Sequence, residues 1–151
     1  MRTFYLPLLC ALTMLGCSSC GIGARKTDEQ KQRDYLDYED IALEWKDLFL
    51  PAKSQYFVYI YSISCLHCER IKEDVLEAID LNLDAFYLIH YTSEIQTKSN
   101  VSETIGKEKV EEVYILGTPT LLEISDHHIA LNIAGENAIL DYLQLLPHKV
   151  C

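Results

Sequence analysis

The sequence predicts an α/β domain, a central mixed sheet with helices on both faces, in the order α-β-α-β-α-β-β-α. Three observations predict it. Two runs of consecutive apolar or aromatic residues read as strands: Tyr56–Tyr61, a central strand covered on both faces, and the shorter Ala85–Ile89. Segments with apolar residues every three or four positions alternate with these runs and read as helices. Near the C-terminus two β-rich segments flank a short polar turn, the signature of a hairpin. Alternation of this kind implies parallel strands joined by crossover helices, and the hairpin adds antiparallel edges.

The N-terminus is a different kind of sequence. Every acidic residue lies at or beyond Asp28, although the chain of 151 residues carries 23 Asp+Glu against 13 Lys+Arg. Arg2 precedes an apolar run, Phe4–Leu15, of about 12 residues, too short for the roughly 20 that span a bilayer. Residues 1–16 therefore read as a secretory signal. Met14-Leu15-Gly16-Cys17 resembles the bacterial lipobox, with Met where Leu is usual; the resemblance implies cleavage before Cys17 and lipidation of its thiol. Residues 17–34 are polar and charge-mixed and read as a tether, with the domain proper spanning 35–151. The expected location is outside the cell, lipid-anchored to the outer face of a bacterial membrane, or periplasmic. A net charge of −10 argues against nucleic acid as a partner, since its binders need a basic face.

Along the domain, Tyr38, Ile41, Ala42, Trp45, Leu48 and Phe49 form one helical stripe that Pro51 closes. The Tyr56–Tyr61 strand follows. A helix opening near Leu66 carries Ile71, Val75 and Ile79, and Ala85–Ile89 is the second strand. Asn100, with Glu103 three residues later, has the spacing of a helix cap for Val101 and Ile105. Thr120–Ile124 and His128–Ile133 flank Ser125-Asp126-His127 as the hairpin. Gly135 precedes a last helix carrying Ile139, Leu140, Leu143 and Leu146, which Pro147 stops.

Cys65-Leu66-His67-Cys68 falls where the first strand ends and a helix begins. The unpaired N–H groups of a helix start favour a thiolate over a thiol, so Cys65 reads as the nucleophile. Cys68, one turn further in, is placed to attack a mixed disulfide on Cys65, and His67 adds positive charge beside it. Stabilising the reduced form makes the disulfide a stronger oxidant. The same spacing is also half of a zinc site, but no second ligand pair is patterned in the sequence.

The strand Tyr56–Tyr61, the Cys65–Cys68 motif opening a helix, and Gly117-Thr118-Pro119-Thr120 before a hairpin together resemble the thioredoxin superfamily, over roughly residues 38 to 146. The resemblance implies a thioredoxin-like sandwich. It also implies a cis Pro119 facing the cysteine pair, with the Thr118 backbone pairing with that of a bound substrate. Cys-x-His-Cys is most similar to DsbA-type oxidases, whereas Gly-Thr-Pro is closer to secreted isomerases and reductases. Two positions depart from the family pattern: Tyr59 stands where a buried carboxylate is usual, and Ser64 where a tryptophan is. The first strand of the full fold has no counterpart.

The expectation is an exported thiol–disulfide oxidoreductase that exchanges disulfides with protein thiol or disulfide substrates and with a redox partner. Cys65 attacks, Cys68 resolves, His67 tunes, and Thr118 and Pro119 position the substrate chain. No metal and no cofactor beyond the disulfide is called for, and His67 favours oxidation over reduction. Two other classes fit the same residues, a metallochaperone using Cys65, His67 and Cys68, and a redox-silent module that binds a partner at Thr118–Pro119.

Overall fold

The structure is a computed structural model that describes residues 33–146. Its centre is the strand β1 (Gln55–Tyr61), whose six apolar residues from Tyr56 onward are all buried. β1 pairs in parallel with β2 (Phe86–His90), with Phe57 opposite Phe86 and Tyr61 opposite His90. On its other side it pairs antiparallel with β3 (Thr120–Ser125), which forms a hairpin with β4 (His128–Ala134). The sheet order is β2-β1-β3-β4. The hairpin turn is the two residues Asp126 and His127, both at positive φ, with Ser125 taken into β3. That is the backbone a tight two-residue connection needs to match the strand twist.

Alternation along β1 divides the core. Phe57, Tyr59 and Tyr61 face one side with Ile71, Val75, Leu76, Ile79, Ile139 and Leu143. These come from the segment following α1 (Leu66–Arg70), from α2 (Lys72–Leu81) and from α3 (Glu136–Leu143). Tyr56, Val58 and Ile60 face the other side with Trp45, Leu48, Ile95, Val113 and Ile115. The three α-helices of the described residues thus supply the first layer, and 3-10 turns and loop segments cover the second face where helices were expected.

Three elements differ from expectation. The stripe from Tyr38 to Phe49 is not one helix. Residues Tyr35–Asp37, Glu39–Ile41 and Trp45–Asp47 form separate 3-10 turns. Between the second and third, Ala42 bridges to Leu88 in parallel, and the Leu43 N–H donates to the Leu88 carbonyl at 2.8 Å. The chain crosses the β2 edge there, so Tyr38 and Ile41 pack on the first core face while Trp45 and Leu48 pack on the second. A spacing of three and four is common to an amphipathic helix and to this crossing. This one-residue bridge is the only β pairing the segment makes among the described residues.

The helix opening near Leu66 is broken at Ile71, whose φ of −102° and ψ of 7° end α1 before α2 begins. Asn100 caps only a 3-10 turn, Val101–Thr104. Beyond it, Gly106 donates to the Ile129 carbonyl at 2.8 Å and Ile129 donates back to Lys107 at 2.9 Å, so the edge of β4 captures the backbone a helix would have used. Pro147 lies outside the described residues, and α3 ends at Leu143. No helix of the described residues is long and apolar enough to cross a membrane.

Candidate functional site

β1 ends at Tyr61, and Ser62, Ile63 and Ser64 turn the chain into α1. The Cys65 N–H donates to the Ser62 carbonyl at 3.1 Å, closing that turn. Cys65 then stands as the N-cap of α1, with an extended φ of −87° and ψ of 110°. A capping side chain accepts from the unpaired N–H groups of the first turn. Here the acceptor is sulfur: the Cys68 N–H donates to Cys65 Sγ at 3.2 Å. The same sulfur lies 3.2 Å from the Thr118 carbonyl. Partial burial pushes the Cys65 thiol up. Hydrogen bonding with the Cys68 and Thr118 side chains and with the backbone of Cys68 and His67 outweighs it, and the thiol sits below its ordinary value.

Cys68 is the opposite case. It is 1% exposed. Burial first, and then hydrogen bonding with Cys65, push its thiol up to about 12. One partly exposed thiol that ionises easily is therefore set against one buried thiol that does not. Both are free thiols in this structure.

The floor under Cys68 is made of phenols. The Tyr35 hydroxyl donates to the Cys68 carbonyl at 3.0 Å and lies 3.1 Å from the Tyr59 hydroxyl. A phenol has one proton to give, so Tyr59 is the donor to Tyr35. The Tyr35 ring packs on Tyr61 with centroids 4.3 Å apart and on Tyr59 at 5.5 Å. Burial raises both phenols well above the ordinary tyrosine value, so neither is a phenolate able to take the Cys68 proton. Tyr35 arrives from the N-terminal segment, which is strapped to the helices by charge. Arg33 pairs with Glu73 and Asp80, and Asp34 accepts from the Leu36 N–H and from Lys72.

Opposite Cys65, the Thr118–Pro119 peptide is cis, and the Thr120 hydroxyl donates to the Gly117 carbonyl at 2.6 Å. The Gly135 N–H donates to the Pro119 carbonyl at 3.0 Å, tying this loop to the start of α3. Gly135 has φ +92° and ψ 152°, a region open almost only to glycine. The next residue, Glu136, reaches the cysteine helix. Its Oε2 lies 3.1 Å from His67 Nδ1, and both carboxylate oxygens accept from Arg70 at 3.0 Å.

The structure thus brings together Cys65, Cys68, Thr118 and Pro119. His67 is beside them, but its imidazole pairs with Glu136, and the part of His67 that bears on the Cys65 thiol is its backbone. Cys17, Cys20 and Cys151 lie outside the described residues. Among the described residues no group of three or more His, Cys, Asp or Glu side chains is placed to hold a metal ion. Sequence reasoning missed Tyr35 and Glu136. The departure at Tyr59 was the one signal pointing to the first of these, and nothing in the local pattern pointed to the second.

No family model matches the chain, and no curated protein matches it. Solved structures similar to it include thioredoxin f2 of Chlamydomonas reinhardtii, at 11% identity and TM-score 0.44, covering 71% of this chain and 98% of that one. Thioredoxin of Plasmodium falciparum is similar at 13% identity and TM-score 0.44, covering 70% and 98%. Mitochondrial thioredoxin 3 of Saccharomyces cerevisiae is similar at 14% and 0.44, covering 70% and 93%. Overlaps this distant leave the assignment to the chain's own architecture. A mixed sheet ordered β2-β1-β3-β4, a cysteine pair opening the helix after its central strand, and a cis-proline leading into the terminal hairpin make this a thioredoxin-like fold.

Proposed function

We propose that the protein is a thiol–disulfide oxidoreductase acting on polypeptide substrates through Cys65 and Cys68. One observation carries this reading: an accessible, easily ionised Cys65 capped by the N–H of a buried, protonated Cys68, with the Thr118 carbonyl 3.2 Å from the attacking sulfur. In the reducing direction the Cys65 thiolate attacks one sulfur of a substrate disulfide. A mixed disulfide forms and the first substrate thiolate leaves. Cys68 then loses its proton to solvent and attacks Cys65 Sγ, forming the internal disulfide and releasing the second substrate thiolate. Two electrons pass from protein to substrate, and oxidation of a dithiol substrate is the reverse sequence.

Thr118 and Pro119 hold the substrate chain beside Cys65. Ile63, Leu66 and Leu116 are 74%, 66% and 55% exposed and stand within two residues of Cys65 or Thr118, an apolar rim suited to a polypeptide rather than a small thiol. The protein works outside the cell, anchored through Cys17, where protein disulfides form and persist; the signal-like residues 1–16 support this part of the reading.

The test is the reduction potential of the Cys65–Cys68 pair, with Cys10, Cys17, Cys20 and Cys151 replaced by Ser. The protein is equilibrated against glutathione and its dithiol fraction read by thiol-labelling mass shift. A value near about −120 mV marks a disulfide donor and one near roughly −270 mV a reductant. Failure to form the disulfide at any poise overturns the proposal in favour of a metal-binding or redox-silent module.

A further inference from the structure

The Cys-x-His-Cys motif places a histidine next to Cys65 in the sequence, yet in the folded chain its imidazole is engaged elsewhere. His67 Nδ1 lies 3.1 Å from Glu136 Oε2, and Arg70, also on α1, is held by the same carboxylate. Glu136 is itself fixed in place. It is the first residue of α3, its side chain is three-quarters covered, and the preceding Gly135 N–H is tied to the Pro119 carbonyl. One carboxylate therefore spans from the proline loop to the cysteine helix and holds both the His67 imidazole and the Arg70 guanidinium. What remains at the Cys65 sulfur is hydrogen bonding with uncharged groups, the Cys68 N–H at 3.2 Å among them.

We propose that Glu136 is a positioning residue of the cysteine couple: by holding the His67 imidazole away from Cys65 it keeps the pair less oxidising than the motif alone would make it. This rests on the oxidoreductase reading and deepens it. A His67 side chain released from Glu136 is free to turn toward Cys65 and donate a ring N–H to its thiolate. That stabilises the reduced form and pushes electrons from substrate toward the protein.

A double-mutant cycle decides it. Glu136→Ala and His67→Ala are made singly and together in the full chain whose Cys10, Cys17, Cys20 and Cys151 are Ser. Two quantities are measured at each corner: the Cys65 thiolate titration by absorbance near 240 nm, and the equilibrium constant against the glutathione couple. Glu136→Ala with His67 present is expected to lower the Cys65 midpoint by about half a unit and to shift the equilibrium about threefold toward the dithiol form. In the His67→Ala background the same substitution is expected to move neither. An equal shift in both backgrounds overturns the proposal, because Glu136 would then act through Arg70 or directly on the sulfur; no shift in either background overturns it as well. If no disulfide forms at any poise, the oxidoreductase reading fails, while the thiolate titration, which needs no disulfide, still decides the role of Glu136.

Discussion

Replacing Tyr35 with Phe should destabilise the reduced protein more than replacing Tyr59, although Tyr59 is the more deeply buried, at 0% exposed against 5%. The reason is the direction of the hydrogen bonds. Tyr35 donates to the Cys68 carbonyl and accepts from Tyr59. Tyr35→Phe therefore removes two hydrogen bonds: the one to the Cys68 carbonyl is worth about 1 kcal/mol, and loss of the other strands the buried Tyr59 O–H, which adds roughly 1–3 kcal/mol. Tyr59→Phe removes only a donor to Tyr35, whose own proton stays on Cys68, at a cost of about 0.5–1.5 kcal/mol. The double variant has no stranded hydroxyl and should be more stable than Tyr35→Phe alone, although it carries one substitution more. The chain has one tryptophan, Trp45, buried on the opposite core face, so urea unfolding followed by its fluorescence reports on the whole domain rather than the mutated floor. A Tyr59→Phe loss equal to or larger than that of Tyr35→Phe, or a double variant less stable than Tyr35→Phe, would refute the assigned directions.

Alkylation should separate the two cysteines. With the Cys65 thiol lowered, its thiolate is populated below the ordinary thiol midpoint, so iodoacetamide at neutral pH should label Cys65 and leave Cys68 unmodified, as read by peptide mass. The raised Cys68 thiol also sets a linkage: the unfolded thiol ionises near 9.0 and the folded one near about 12. Its contribution to stability is complete below the first value and is lost as pH climbs toward the second. Urea midpoints of the reduced protein should therefore fall across that window, and less steeply in Cys68→Ala. Gly135→Ala should cost about 1–3 kcal/mol in the same assay, from backbone strain alone, because a Cβ there meets nothing within 4 Å. A neutral result would mean that the α3 start relaxes and that the Gly135–Pro119 hydrogen bond is dispensable.

The central strand was legible because six successive apolar residues have few uses other than a strand covered on both faces, and Tyr56–Tyr61 is that strand. The hairpin was legible from its turn chemistry, Asp126 being among the residues that tolerate positive φ. The first helix was misread because periodicity records which residues are buried and not which core buries them. Tyr38 and Trp45 are both inward, but on opposite sides of the sheet. The break at Ile71 has no glycine or proline to announce it. At the site, Cys65, Cys68, Thr118 and Pro119 could be named from short motifs, since each motif sits within four consecutive residues. Tyr35 and Glu136 come to the site from 33 and 69 positions away, respectively, and nothing local marks such a partner.

The crossing at Ala42 also bears on how these molecules behave toward one another. A four-stranded open sheet ends in two rims whose free N–H and C=O groups are templates for a strand from another chain. Here one rim is occupied at Leu88 by Ala42 and Leu43, and the other at Ile129 by Gly106 and Lys107. Neither plug is a strand, and each spends only two residues, yet an incoming chain would have to displace it before it could zip along the rim. Molecules crowded side by side would therefore meet with both rims of the described sheet already plugged.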